Sequence, residues 1–269
     1  MSTTVVSSIR AKLDAMTEKQ KKASLTWKPT RGEEAQIRIV PYLHGSDPFN
    51  ELYFHYELGE TKVVLCPKTS NSIDGECPIC EYLQERVVND RSERGKALYS
   101  DLRPKFRAYV PVIVRGQEEQ GVRFWGIGKK TYQSIAELFL DPDYGDISDP
   151  LKGRDLKVVA TKPNSEDRYG RVNIRPAASS SKLHEDSNMG KKIIETCPIV
   201  FDAFTKYTYA EMEKILEAYL TPNKVAEPVE ENPAEDKPPV QENVANAEGV
   251  QSMDEMFDDI TSEDEEEKK

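Results

Sequence analysis

From residue 35 onward, apolar and polar positions tend to alternate, the two-residue period of a strand with one face turned inward. "AQIRIVPYL" alternates, "TKVVLC" and "FRAYVPVIV" are β-branched or aromatic, and "VRFWGIG", "LKVVATK" and "RVNIR" repeat this strand-like habit with Gly, Asp and Pro breaks. A mainly β body with helices follows, an α+β class. Helical spacing interrupts it at 78–90 (Ile79, Leu83, Val87), at 131–140 (Tyr132, Ile135, Leu138, Phe139) and at 209–220. The last has the strongest start signal. Thr208 stands three residues before Glu211, a capping-box pattern, ahead of Met212, Ile215, Leu216, Tyr219 and Leu220. At the other end, Ile9, Leu13 and Met16 follow a possible cap, Ser8, and predict a short amphipathic helix and then a basic loop.

Composition changes sharply at Pro222. The segment "PNKVAEPVEENPAEDKPPVQENVANAEGV" is rich in Pro, Glu and Asn and has no aromatic residue, so its burial cannot offset its ordering entropy and disorder is expected. Beyond it, Met253, Met256, Phe257 and Ile260 recur at helical spacing among acids. Residues 1–31 therefore read as an arm, 32–221 as the folded body and 222–269 as a tail.

The net charge of −11 follows the same division. Residues 223–269 hold sixteen Asp/Glu and four Lys/Arg, which leaves 33 basic and 32 acidic side chains in residues 1–222. Acidity is thus a property of the tail. Residues 1–31 carry seven Lys/Arg against two acids, and residues 94–130 carry nine against three. No run approaches eighteen apolar residues and the start lacks a secretory pattern, so no membrane association and a cytoplasmic location are expected.

Three of the four cysteines and one of the three histidines fall within residues 55–80. His55, Cys66, Cys77 and Cys80 form H-x10-C-x10-C-x2-C, in which "CPIC" can chelate from one turn and two further donors complete a tetrahedron. A structural Zn²⁺ is the favoured reading, with no position left open for catalysis. Two buried thiols starting a helix, or a redox pair, are the alternatives. His44, in the turn "LHGSDP", competes with His55; His184 reads as a solvated loop residue and Cys197 as a small core side chain.

The basic stretch is interleaved with rings: Tyr99, Arg103, Lys105, Phe106, Arg107, Tyr109, Arg123, Phe124, Trp125, Lys129 and Lys130. Rings that stack on any base and cations that track phosphates are what unpaired nucleic acid requires. The alternative is that Phe106, Tyr109 and Phe124 point into the core below a solvated charged face. "GIGKKT" lacks the first glycine of a phosphate loop, since Arg123 stands there. There is no nucleophile motif or spaced carboxylate pair, so a binding protein is expected rather than an enzyme.

Together these features resemble the zinc-containing single-stranded DNA-binding, or helix-destabilising, proteins of T-even-type bacteriophages. The resemblance rests on "IRIVP" at 37–41, "PFNELYFH" at 48–55, "CPICEYL" at 77–83, "LYS" at 98–100 and "IGKKTY" at 127–132, and the cysteine spacing differs slightly from that family's. It implies an OB-fold joined to a zinc subdomain at about 50–95, with single-stranded DNA in a positive cleft between them. By resemblance, Tyr99, Tyr109 and Trp125 fall near stacking positions, Arg38, Arg103, Lys105 and Lys129 near phosphates, and Tyr169 is a further candidate. It also implies self-association through the arm, where "SSIRAKL" and "EKQKKASLT" replace the family's cluster. Replication and recombination proteins would then bind the acidic tail through Met253, Met256, Phe257 and Ile260, in the cytoplasm of a bacterial host. The alternative function is a zinc-structured RNA-binding or transcription-associated factor.

Overall fold

A computed structural model describes residues 2–68, 70, 75–163 and 170–221. In chain order these form helix α1 (Ser2–Ser24), strands β1 (Thr26–Trp27), β2 (Glu34–Ile39), β3 (Asn50–Leu58) and β4 (Thr61–Leu65), and helix α2 (Pro78–Tyr82), which one π turn (Leu83–Val87) prolongs. Helix α3 (Glu93–Leu102), strands β5 (Lys105–Val114) and β6 (Arg123–Ile127), helix α4 (Lys129–Leu140), strands β7 (Asp155–Ala160) and β8 (Val172–Pro176), and helices α5 (Ser187–Glu195) and α6 (Tyr209–Leu220) follow. Side chains start three of these helices. Ser92 accepts from the Gly95 amide, Asp186 from Asn188 and Thr208 from Glu211, each satisfying an amide that has no partner within its helix.

The long apolar strand β5 organises the sheet. Along one edge it pairs antiparallel with β6, from Ala108↔Ile127 to Val112↔Arg123. Along the other it pairs first with β3, from Phe54↔Lys105 to Asn50↔Tyr109, and then with β2, from Ile39↔Val112 to Ile37↔Val114. The strand order is β1-β6-β5-β2-β7-β8, with the β3–β4 hairpin branching from β5. Alternation sends Ala108, Val110, Val112 and Val114 into one core with Ile37, Ile39, Trp125, Ile127, Leu156 and Val158, under Ile135 of α4. Tyr109 faces the other way, toward Leu52, Phe54, Phe124, Cys197 and Val200. Over Val110–Val114 both faces are covered, which is why this part of β5 reads as an unbroken apolar run, while Lys105, Arg107 and Tyr109 stay half-buried. The described residues thus form a mixed α+β fold with a mostly sheet core.

One polar side chain on β2 is fully buried. Arg38 has no exposed surface, and its Nη1 donates to Asp155 Oδ1 (3.3 Å) and Ser181 Oγ (3.0 Å) while Nη2 donates to the carbonyls of Asp149 (2.7 Å) and Ser181 (2.8 Å). Arg115 grips the same carboxylate at 3.0 and 2.9 Å and donates to the carbonyls of Lys182 and Leu183. The two guanidiniums thereby pin the chain between β8 and α5 onto the sheet. Gly153 keeps this space open, since a Cβ there would lie 2.5 Å from Arg38 Nη2.

Sequence and structure agree on the six expected strands and on α6, whose capping box forms with both its hydrogen bonds. Helix α1 extends through the expected basic loop as far as Ser24, and Ile9, Leu13 and Met16 remain exposed on it. The helix expected over 78–90 is a short α2 and a π turn. Helices α3 and α5 were not anticipated, because their buried positions are too few to set a helical period. The tail, with Met253, Met256, Phe257 and Ile260, lies outside the described residues, as does Tyr169. Among the described residues, no helix is long and apolar enough to cross a membrane.

Burial opposes ionisation of Asp155, but bonds from Arg115 and Gln36 and the charges of Arg115 and Arg38 outweigh it and hold the carboxyl below its ordinary value. A lowered folded value contributes stability that is complete above the unfolded value of about 3.9 and lost as pH falls through the folded one. Asp155→Asn leaves Arg38 buried without a counter-charge. Chemical denaturation at neutral pH is expected to show a loss of about 3–5 kcal/mol, and the variant should lose less stability than the native chain on acidification.

Candidate metal centre

The hairpin β3–β4 and the start of α2 bring four donors together. His55 is on β3 opposite Val64, Cys66 follows the last residue of β4, and Cys77 and Cys80 flank the first turn of α2 with Pro78 between them. All four side chains are buried, and their donor atoms lie within 4.8 Å of one another. The Sγ atoms of Cys66 and Cys80 are 3.6 Å apart, and His55 Nε2 lies 3.4 Å from Cys77 Sγ and 3.6 Å from Cys80 Sγ. A tetrahedral ion with thiolate bonds of about 2.3 Å and an imidazole bond of about 2.0 Å sets sulfurs about 3.8 Å apart and sulfur from nitrogen about 3.5 Å. These three separations match, the others stay within 4.8 Å, and the four groups can hold one metal ion.

The ring of His55 is already oriented for this. Nδ1 lies 2.7 Å from the Leu102 carbonyl, which can only accept, so Nδ1 carries a hydrogen and, in the neutral ring, Nε2 turns its lone pair to the sulfurs. Without a metal, the cluster balances charge through its own protons. Burial disfavours the imidazolium, yet hydrogen bonds to Cys66 and Cys77 prevail and raise His55 to about 9. Hydrogen bonds from Cys77 and Cys80 drive the Cys66 thiol far down, while those to Cys66 and Cys77, aided by burial, drive Cys80 far up. The bare cluster thus favours one thiolate, at Cys66, beside a protonated His55, and a divalent cation would replace those protons and act on all three sulfurs at once.

The lobe around the site has its own core. Leu58, Val64, Ile79, Leu83, Val87 and Leu102 pack with the cysteines and with Met212 and Leu216 of α6. Two tyrosines tether that helix, Tyr209 donating to Glu81 at 2.8 Å and Tyr219 to Asp101 at 3.0 Å. The lobe therefore extends beyond the expected 50–95 to recruit α3 and the far end of the body. Leu102 had no signal in the sequence, since its contribution is a backbone carbonyl.

Of the competing histidines, His44 lies 3.3 Å from the Cys197 carbonyl through Nε2, and His184 Nδ1 accepts from the Asp186 amide. Neither joins the cluster. Cys197 is buried in the second core, and burial pushes its thiol up to about 12, consistent with an inert packing role.

The basic aromatic stretch divides. Arg38 is fully buried in its ion pair and Trp125 is 2% exposed in the main core, so neither offers surface to a strand, and both are corrected to structural roles. Arg123 is 9% exposed, with Nη2 donating to Gln117. Phe124 is buried, and Phe106 packs on Tyr53 and Tyr132. Tyr99 is 46% exposed on α3, Lys129 and Lys130 are exposed at the start of α4, and Arg103, Lys105, Arg107 and Tyr109 are half-buried. Lys105, Arg107 and Tyr109 share one face of β5, and Tyr99 and Arg103 precede it at the end of α3. In comparisons with known proteins, no family model and no curated protein matches the chain.

Metal analysis of reduced protein is expected to give one ion per chain. A chelator should then lower Tm: an ion held at a thousandfold its Kd contributes about 4 kcal/mol, or roughly 8–16 °C for a body of this size. Full metal removal without any shift in melting would show that the lobe folds without a cation.

Proposed function

We propose that this chain binds single-stranded DNA with little regard to sequence, coating exposed strands during phage-type replication, recombination and repair. The observation that carries the reading is the register of β5. It sets Lys105, Arg107 and Tyr109 on one face, a few residues beyond the Leu102 carbonyl that receives the metal-ligand hydrogen bond. Cations and a ring in that spacing suit an unpaired strand, whose bases stack on any π-face while its phosphates follow the charges. Tyr99 and Arg103 extend the surface along α3, and Lys129 and Lys130 add charge at the start of α4.

In this reading the metal is Zn²⁺, favoured by three thiolates and one imidazole in a closed tetrahedral set. It holds the lobe and does no chemistry on DNA. The sheet under α4 is read as an OB-type barrel, a scaffold that presents nucleic acid on one face. The basic arm associates with further copies, and the acidic tail recruits replication and recombination proteins in the host cytoplasm. The protein acts by binding and melts weak hairpins by mass action.

Labelled oligo-dT is expected to bind in dilute buffer, with affinity falling linearly in log–log salt. Lys105→Ala with Arg107→Ala should flatten that slope by about 0.7 for each phosphate left without its cation, and Tyr99→Ala should cost about 1–3 kcal/mol. Indifference to poly-dT at low salt would sink the reading. Preference for oligo-U over oligo-dT in competition would replace it with an RNA-binding one.

A further inference from the structure

The face of β5 that carries Lys105, Arg107 and Tyr109 also carries, through its pairing with β3, Leu52 and Phe54. The chain between α5 and α6 crosses this face. Its 3-10 turn, Val200–Ala203, is followed by Phe204, whose ring centroid lies 4.8 Å from that of Tyr109 and 5.1 Å from that of Phe54, both edge-to-face. Phe204 and Tyr109 are both half-buried, so the pair sits at the margin of the second core rather than within it. Tyr109 reaches this position by lying over Gly126 on β6, where a Cβ would come within 2.8 Å of the ring.

Two further contacts set lysines in and beside the crossing segment, which also holds the exposed Asp202. Lys206 Nζ stands 5.7 Å from the Phe201 ring centroid, and Thr205 Oγ1 receives a hydrogen bond from Lys22 Nζ at 3.4 Å. Helix α1 packs beside the 3-10 turn. Lys22 of the arm and Tyr109 of β5, more than eighty residues apart in sequence, thus meet at one segment of chain.

The geometry assigns residues 199–207 as a second wall of the single-strand groove, a conclusion that rests on the DNA-binding reading above. Phe204 completes a ring pair with Tyr109 for base stacking. Lys206 and Lys22 carry the phosphate track from Lys105 and Arg107 onto the arm helix. A bound strand therefore touches the arm of the same chain, beyond the footprint of the sheet.

Oligo-dT titrations across salt with the full zinc-loaded chain test this. Lys206→Glu and Lys22→Ala change exposed or half-exposed groups only and should leave Tm unaltered. Each is expected to weaken binding several-fold at low salt and to flatten the salt slope by about 0.7. Phe204→Leu retains apolar volume and removes the π-face, with an expected loss of about tenfold. Native affinity and slope in all three, while Lys105→Ala with Arg107→Ala binds weakly, would overturn the assignment and leave the segment a cover for the core. Failure of the native chain to bind oligo-dT would remove both this wall and the DNA reading itself.

Discussion

The hydrogen bond from His55 Nδ1 to the Leu102 carbonyl couples the two halves of this structure. On one side it fixes the tautomer that points Nε2 at three sulfurs. On the other it holds the last residue of α3, three positions before β5 begins. Since β5 is the strand with which β2, β3 and β6 all pair, whatever fixes its entry fixes the register of the sheet. A metal at the cluster would therefore act on the entry of β5 through this bond.

The body buries charge at two places and handles it in opposite ways. At β2 and β7, a carboxylate meets two guanidiniums, and the remaining N–H groups find backbone carbonyls, so the network is closed almost entirely from within. Among the described residues of that network, only Arg38 Nε has no partner. At the cysteine cluster, hydrogen bonds among three thiols and an imidazole raise His55 to about 9, drive Cys66 down and drive Cys80 up, so charge there depends on protons that a metal ion can displace. The first arrangement is closed by fixed charges, whereas the second gathers four donors that can hold a metal ion. This difference separates a structural ion pair from a metal site more sharply than burial does.

The interleaving of rings and cations over 99–130 is not one surface. Phe106, Phe124 and Trp125 supply packing, Arg123 closes a turn through Gln117, and the exposed or half-exposed remainder borders the metal lobe. Aromatic residues in a β protein serve both ends, because a ring that stacks on a base is as effective against a neighbouring ring. The segment 199–207 shows the converse. It resembles an ordinary connection in sequence, yet the fold lays Phe204 against Tyr109 of β5.

Short-range patterns in the chain determined much of this. The "CPIC" knuckle, the capping box of Thr208 with Glu211 and the apolar run of β5 are each set by residues a few positions apart, and each forms as the spacing dictates. The donor set was legible for the same reason, since few side chains suit a soft metal and four of them cluster. Tertiary structure alone decided which alternating positions face water. Arg38 in "QIRIV" has the pattern of an outward residue, but the neighbouring chain supplies Asp155, Asp149 and Ser181, and burial becomes favourable. The same holds for α6 closing the metal lobe and for Phe204 meeting Tyr109: what covers a face depends on partners far along the chain, and no local period encodes them.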